Sequence, residues 1–137
     1  MKTIIVDDEI MAIKLVRNYL ERDKRVEIVG EGLDAGEALQ CVRERAVEAA
    51  FLDICIHGCM DGVELGKKLK ELNPQIVLIY TTGNAQYVDN AIDVEADFYL
   101  MKPLNAAELT FVVKKANELA LQRNKRIFAR TFGHFDL

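Results

Sequence analysis

The chain has 137 residues, half of them apolar and 29% charged, with a net charge of −4 and no tryptophan. That is the size of one compact domain, commonly about 100–150 residues, and the apolar fraction excludes a disordered chain. No apolar run approaches the roughly 18 residues of a membrane span, and Met1-Lys2-Thr3-Ile4 leads into structure without the layout of a signal peptide.

Short apolar runs alternate with stretches of helical period. Thr3 to Val6 predicts the first strand, and Ile13, Val16 and Leu20 then share one helical face. In the second strand, Val26 to Gly30, the segment Val26-Glu27-Ile28 alternates as an edge strand does; the other runs are continuously apolar, like strands buried on both faces of a parallel sheet. Asp34 with Glu37 has capping-box spacing and opens the second helix. Ala49 to Leu52 is the third strand, followed by a helix marked by Leu65, Leu69 and Leu72 and stopped by Asn73-Pro74. Ile76 to Tyr80 and Phe98 to Met101 are strands four and five. Asn105 with Glu108 opens the last helix, roughly residues 105 to 124, whose apolar face includes Leu109, Val112, Val113, Ala116, Leu119 and Ala120. The order is (βα)5, which implies an α/β fold with a doubly wound parallel sheet: each parallel crossover needs a helix, and right-handed connections put helices on both faces.

Beyond the last helix, the alternating apolar residues of Arg126 to Leu137 suggest a further strand. The expected organisation is one domain over 1–124, with 125–137 as a linker and the opening strand of a truncated second domain. Charge is uneven along the chain. Residues 114 to 130 carry six basic side chains against Glu118 alone, which leaves 12 basic and 21 acidic residues elsewhere. The ordinary reading of such a stretch is a solvated helix end.

In an open α/β sheet, ligands bind outside the carboxyl ends of the strands. Strand one ends in Asp7-Asp8-Glu9, strand three in Asp53, strand four in Thr81-Thr82-Gly83 and strand five in Lys102-Pro103. Converging carboxylates repel one another unless a cation sits among them, and hard oxygen donors with room for water suit Mg²⁺. One Asp can alternatively serve as a nucleophile that accepts a phosphoryl group, with a metal, a hydroxyl and an ammonium stabilising the phosphoryl oxygens; Thr82 and Lys102 are of the right type.

Ile5-Val6-Asp7-Asp8-Glu9, Phe51-Leu52-Asp53-Ile54, Asp61-Gly62-Val63-Glu64-Leu65, Ile79-Tyr80-Thr81-Thr82-Gly83 and Phe98-Tyr99-Leu100-Met101-Lys102-Pro103-Leu104 together resemble the receiver domain of bacterial two-component response regulators, over about residues 2 to 122. The resemblance implies a flavodoxin-like sheet of strand order 2-1-3-4-5. It implies Asp53 as phospho-acceptor, with Asp7, Asp8, Asp53 and the backbone carbonyl of Cys55 holding Mg²⁺. Thr82 would be the switch hydroxyl, Tyr99 the aromatic that turns inward with it, and Lys102 the phosphate-contacting lysine. The implied partners are a sensor histidine kinase and, through the face made by helix four, strand five and helix five, a second copy or an output domain.

Three departures from the family pattern stand out. The loop Asp53-Ile54-Cys55-Ile56-His57-Gly58-Cys59-Met60-Asp61-Gly62 has His57 where receivers commonly have Pro and looks one residue longer. Gly83 replaces a frequent Ala. Cys55 and Asn84 occupy the positions that tune phosphate lifetime in the family. Cys55, His57 and Cys59 lack the second ligand pair of a zinc site and read as ordinary loop thiols, with a redox role for Cys55 the lesser alternative. Three cysteines, counting Cys41, are too few and too odd a number for a disulfide framework, so a reducing cytoplasm is the expected location.

The tail Arg130-Thr131-Phe132-Gly133-His134-Phe135-Asp136-Leu137 looks like the opening strand of a winged-helix DNA-binding region of the antibiotic-regulatory activator type. The runner-up output is the LytTR type, in view of Tyr80-Thr81-Thr82 and Gln86-Tyr87-Val88. DNA would be bound only through such a missing domain, and no membrane is expected. The reading is a receiver that takes a phosphoryl group from a histidine kinase, switches an output domain and slowly hydrolyses the acyl phosphate, rather than a turnover enzyme. The alternative is a phosphorylation-independent docking module that keeps the fold without the switch.

Overall fold

A computed structural model describes residues 1–56, 61–83 and 96–133, with 125–133 described by backbone course alone. Its elements are β1 (Lys2–Val6), α1 (Ile10–Leu20), β2 (Glu27–Gly32), α2 (Ala35–Glu44), β3 (Ala49–Asp53), α3 (Gly62–Leu72), β4 (Val77–Thr82), β5 (Phe98–Met101) and α4 (Ala106–Gly133). The predicted helix between strands four and five lies outside the described residues, so the last helix is numbered α4.

All five strands are parallel, in the order β2-β1-β3-β4-β5. β3 and β4 are buried along their whole length, as their unbroken apolar sequence requires. One core on the α2 and α3 side is built on Val6, Leu52, Leu65, Leu69, Leu78 and Tyr80; the opposite core, under α1 and α4, includes Ile5, Phe51, Ile79, Val113 and Ala116. β2 lies at an edge, as its alternation predicts. β5, whose apolar run predicts burial on both faces, is the other edge: Leu100 is buried, Phe98 and Tyr99 are half-buried, and Met101 is exposed. Its sequence reports apolarity but not how many neighbours it has.

The caps read from sequence are formed. Asp34 accepts the backbone N–H of Glu37 at 2.8 Å, and Asn105 that of Glu108 at 2.7 Å. Asp61 caps α3 in the same way, accepting from the Glu64 N–H at 2.8 Å. Asn73 ends α3 with its side-chain amide donating to the Val47 carbonyl at 2.8 Å.

Where a strand is expected over 126–137, α4 instead runs unbroken to Gly133, and 134–137 lie outside the described residues. A strand there would need a sheet edge to pair with, whereas a helix satisfies its own backbone groups. Arg123 is also not part of a solvated helix end. Its guanidinium pairs with Asp97 at 2.7 Å and donates to the Ile76 carbonyl at 2.8 Å, while the same Asp97 accepts the Leu78 N–H at 2.9 Å. This cluster ties α4 to the start of β4 and to the turn entering β5. Arg123→Ala is expected to cost about 2 kcal/mol in urea unfolding, since it strips donors from a half-buried carboxylate and a carbonyl. Lys115→Ala, which removes an exposed pair with Glu118 and an ammonium 5.7 Å from the Phe111 ring centroid, should cost about 1 kcal/mol or less.

Candidate functional site

β1, β3 and β4 end at one rim of the sheet, and the turn after β5 joins them there. Register fixes the relation: Val6 lies opposite Leu52, Asp53 opposite Thr81, and Thr82 opposite Met101. The next residue after each of β1 and β5 is therefore Asp7 and Lys102. The Lys102 N–H donates to the Thr82 carbonyl at 2.8 Å, which sets these two residues at the same level.

Asp7 and Asp53 are held by the same local device. Asp7 Oδ1 accepts the N–H of Glu9, and Asp53 Oδ1 accepts the N–H of Cys55, each two residues on and each at 3.0 Å. One oxygen of each carboxylate is thereby fixed in its own turn, and the other faces the centre of the site. Both inward oxygens meet Lys102: its ammonium lies 2.9 Å from Asp7 Oδ2 and 3.3 Å from Asp53 Oδ2. Burial alone would lower the pKa of this ammonium. The hydrogen bond to Asp7 and the charges of Asp53 and Asp7 outweigh that and hold it above the ordinary lysine value.

Asp7, Asp8 and Asp53 can each bring a carboxylate oxygen within 4.8 Å of the others, Asp7 and Asp53 buried and Asp8 partly exposed. Three hard donors around one point, with one side open, match the needs of a divalent cation that keeps waters. Thr82 is buried at the end of β4 and Tyr99 is half-buried, stacked on Tyr80 with centroids 6.4 Å apart. Asp7, Asp8, Asp53, Thr82 and Lys102 are thus brought to one rim, and Tyr99 lies on β5 immediately below it. Cys55 contributes its backbone N–H, and its thiol is partly buried.

Residues 3–114 match the family model of the response regulator receiver domain. The chain belongs to that family. Among curated relatives, the sensory transduction protein LytT of Bacillus cereus is 31% identical over 115 residues, covering 84% of this chain and 46% of LytT. The transcriptional regulatory protein YpdB of Escherichia coli K12 is 30% identical over 115 residues, 84% of this chain and 47% of YpdB. The chain spans about half the length of these relatives. Among solved structures, the receiver domain of the response regulator AraT from Geobacillus stearothermophilus superposes with a TM-score of 0.82 at 32% identity, covering 90% of this chain and 97% of that one. The response regulatory domain of MrkE from Klebsiella pneumoniae gives 0.81 at 28% identity, with coverages of 89% and 99%.

Several distinctive positions of this receiver fall where the structure can be read. Among the described residues, a Cβ on Gly83 would meet nothing within 4 Å. Gly62 is the opposite case: a Cβ there would lie 2.1 Å from the Asp53 carbonyl oxygen and 2.7 Å from the Ile54 Cα. Sequence reasoning gave Gly62 no role beyond its place in the motif; the signal available was a glycine immediately after a capping Asp. Of the loop residues, Ile56 is buried, and His57 to Met60, with the one-residue lengthening they carry, lie outside the described residues. Asn84 lies outside them as well. No helix among the described residues is long and apolar enough to cross a membrane.

Proposed function

We propose that this receiver accepts a phosphoryl group on Asp53 from the phosphohistidine of a sensor kinase. The observation that carries the reading is the Lys102 ammonium held between the inward oxygens of Asp7 and Asp53. Asp53 Oδ2 is the nucleophile, because Oδ1 is engaged by the Cys55 N–H. It attacks phosphorus as the bond to the kinase imidazole breaks, and the imidazole leaves with the electron pair. Asp7, Asp8, Asp53 and the Cys55 carbonyl would hold Mg²⁺, whose positive charge offsets that of the phosphoryl oxygens. Lys102 needs only a short movement from the carboxylates to reach the new oxygens, and the Thr82 hydroxyl turns toward them. Tyr99 follows into the space that Thr82 leaves, altering the face that includes β5 and α4. Water later attacks phosphorus and restores the carboxylate.

The output is a further domain, DNA-binding by analogy with the transcriptional regulator YpdB, or a second copy docked on that same face. Mass measurement after incubation with Mg²⁺ and acetyl phosphate tests the first step. An adduct of one phosphoryl group is expected on the intact chain and none on Asp53→Ala. An unmodified intact chain would remove the phospho-switch and leave the docking module as the better reading.

A further inference from the structure

Tyr80 stands out because it is a fully buried phenol in a strand otherwise aliphatic up to its threonines. Its hydroxyl donates to the Gly62 carbonyl at 2.8 Å, in a contact buried from solvent. Burial, with smaller contributions from Tyr99 and Asp61, raises its pKa far above the ordinary value, so the hydroxyl stays protonated and remains a donor. Gly62 in turn donates its N–H to the Ile54 carbonyl at 2.9 Å and lies against the backbone of Asp53. At its other side, the Tyr80 ring is the direct cross-strand partner of Tyr99, stacked at an interplanar angle of 19°. Thr82, two residues along β4, projects to the same face of the sheet as Tyr80. Tyr80 therefore touches both the backbone that carries the phospho-acceptor and the aromatic expected to respond to it.

We infer that Tyr80 is a positioning residue that couples the state of the acceptor loop to Tyr99 through its hydroxyl bond to Gly62. This rests on the phospho-acceptor reading above and adds a second connection beside the one through Thr82. A shift of the Asp53–Gly62 backbone moves the Gly62 carbonyl, the carbonyl carries the phenol, and the phenol ring is the surface on which Tyr99 rests. Tyr80→Phe keeps the ring and removes only the oxygen. By linkage, coupling between the two sites is reciprocal, so a change at Tyr99 must also be felt at Asp53.

The test uses protein labelled with 3-fluorotyrosine, with Tyr99→Phe to assign the Tyr99 fluorine resonance, and Mg²⁺ plus beryllofluoride as the phosphoryl mimic. In the intact chain the mimic shifts the Tyr99 resonance. In Tyr80→Phe the mimic still binds, and the shift falls to less than about half. Tyr99→Leu changes beryllofluoride affinity about threefold or more in the intact background and by less than half that factor in Tyr80→Phe, the remainder passing through Thr82, which a purely structural tyrosine would not cause. Equal Tyr99 shifts in both chains, or independent effects of the two substitutions, would overturn the inference while leaving the phospho-acceptor reading in place. Failure of the intact chain to bind beryllofluoride would overturn both. Should Tyr80→Phe not fold, the ¹³C resonance of the Gly62 carbonyl reads the same contact. It must then move on Tyr99→Leu in the otherwise intact chain, and its constancy would equally defeat the coupling.

Discussion

Lys102→Met is expected to slow phosphorylation of Asp53 by acetyl phosphate about 10²–10³-fold, the usual consequence of deleting one preorganised donor to a charged transition state. Met keeps the length and apolar stem of the side chain, so the change isolates the ammonium. The same substitution should tighten Mg²⁺ binding by about tenfold, because a cation that now touches Asp7 and Asp53 competes with the metal for their oxygens; tenfold corresponds to ~1.4 kcal/mol, modest beside the Coulomb energy of two close charges near a protein surface. The two effects have opposite signs, which separates loss of a phosphate-binding group from general damage to the site. Stability adds a third signature. The folded protein holds the Lys102 pKa above its unfolded value, so the pairing stabilises the fold fully at neutral pH and the contribution disappears as pH rises through the folded-state pKa. The stability difference between intact and Lys102→Met chains, measured by urea unfolding, should accordingly be constant from about pH 7 to 9 and shrink above about pH 10. A rate unchanged by the substitution would remove Lys102 from the chemistry.

Asp7, Asp8, Asp53, Thr82 and Lys102 could be read from sequence because a parallel strand is a short apolar run with a visible end, and the chemistry of such sheets gathers where strands end. The caps at Asp34 and Asn105 were legible for a related reason: donor and acceptor lie three residues apart. What escaped the sequence depends on distances that spacing along the chain does not encode. Asp97 and Arg123 are 26 positions apart, and nothing local distinguishes Arg123 from the surface Lys115 on the same helix. Tyr80 could be recognised as buried but not as bonded to Gly62, since that contact depends on how α3 lies on the sheet. The tail shows the limit of pattern itself. Arg126 to Leu137 alternates well enough for a strand, yet the preceding helix extends into it as far as Gly133, and a helix already nucleated adds residues at little cost. β5 shows the same limit from the other side, because an apolar run does not reveal whether a second strand flanks it.

Gly62→Ala should lower stability by about 3 kcal/mol or more. The requirement is space rather than backbone angle. A Cβ would fall 2.1 Å from the Asp53 carbonyl oxygen and 2.7 Å from both the Cα and the oxygen of Ile54, all of them backbone atoms that no rotamer change can move aside. Relief must come from displacing the start of α3 or the end of β3. The first breaks the Gly62 N–H bond to Ile54 and the Tyr80 bond to Gly62, both buried; the second moves Asp53 itself. A displacement of about 1 Å at a reacting group costs roughly 10²-fold in rate, so phosphorylation should fall together with stability. Gly36 supplies the control, since a Cβ there would meet only the Asp34 carboxylate, at 3.4 Å, within the first turn of α2. Ala at that position removes the entropic penalty of glycine in a helix and should stabilise the chain by up to about 1 kcal/mol. Urea unfolding of the two variants therefore tests the close packing of α3 on the acceptor strand: the same added methyl must lower the midpoint at 62 and raise or preserve it at 36. Equal stability of Gly62→Ala and the intact chain would mean that α3 does not approach Asp53 this closely.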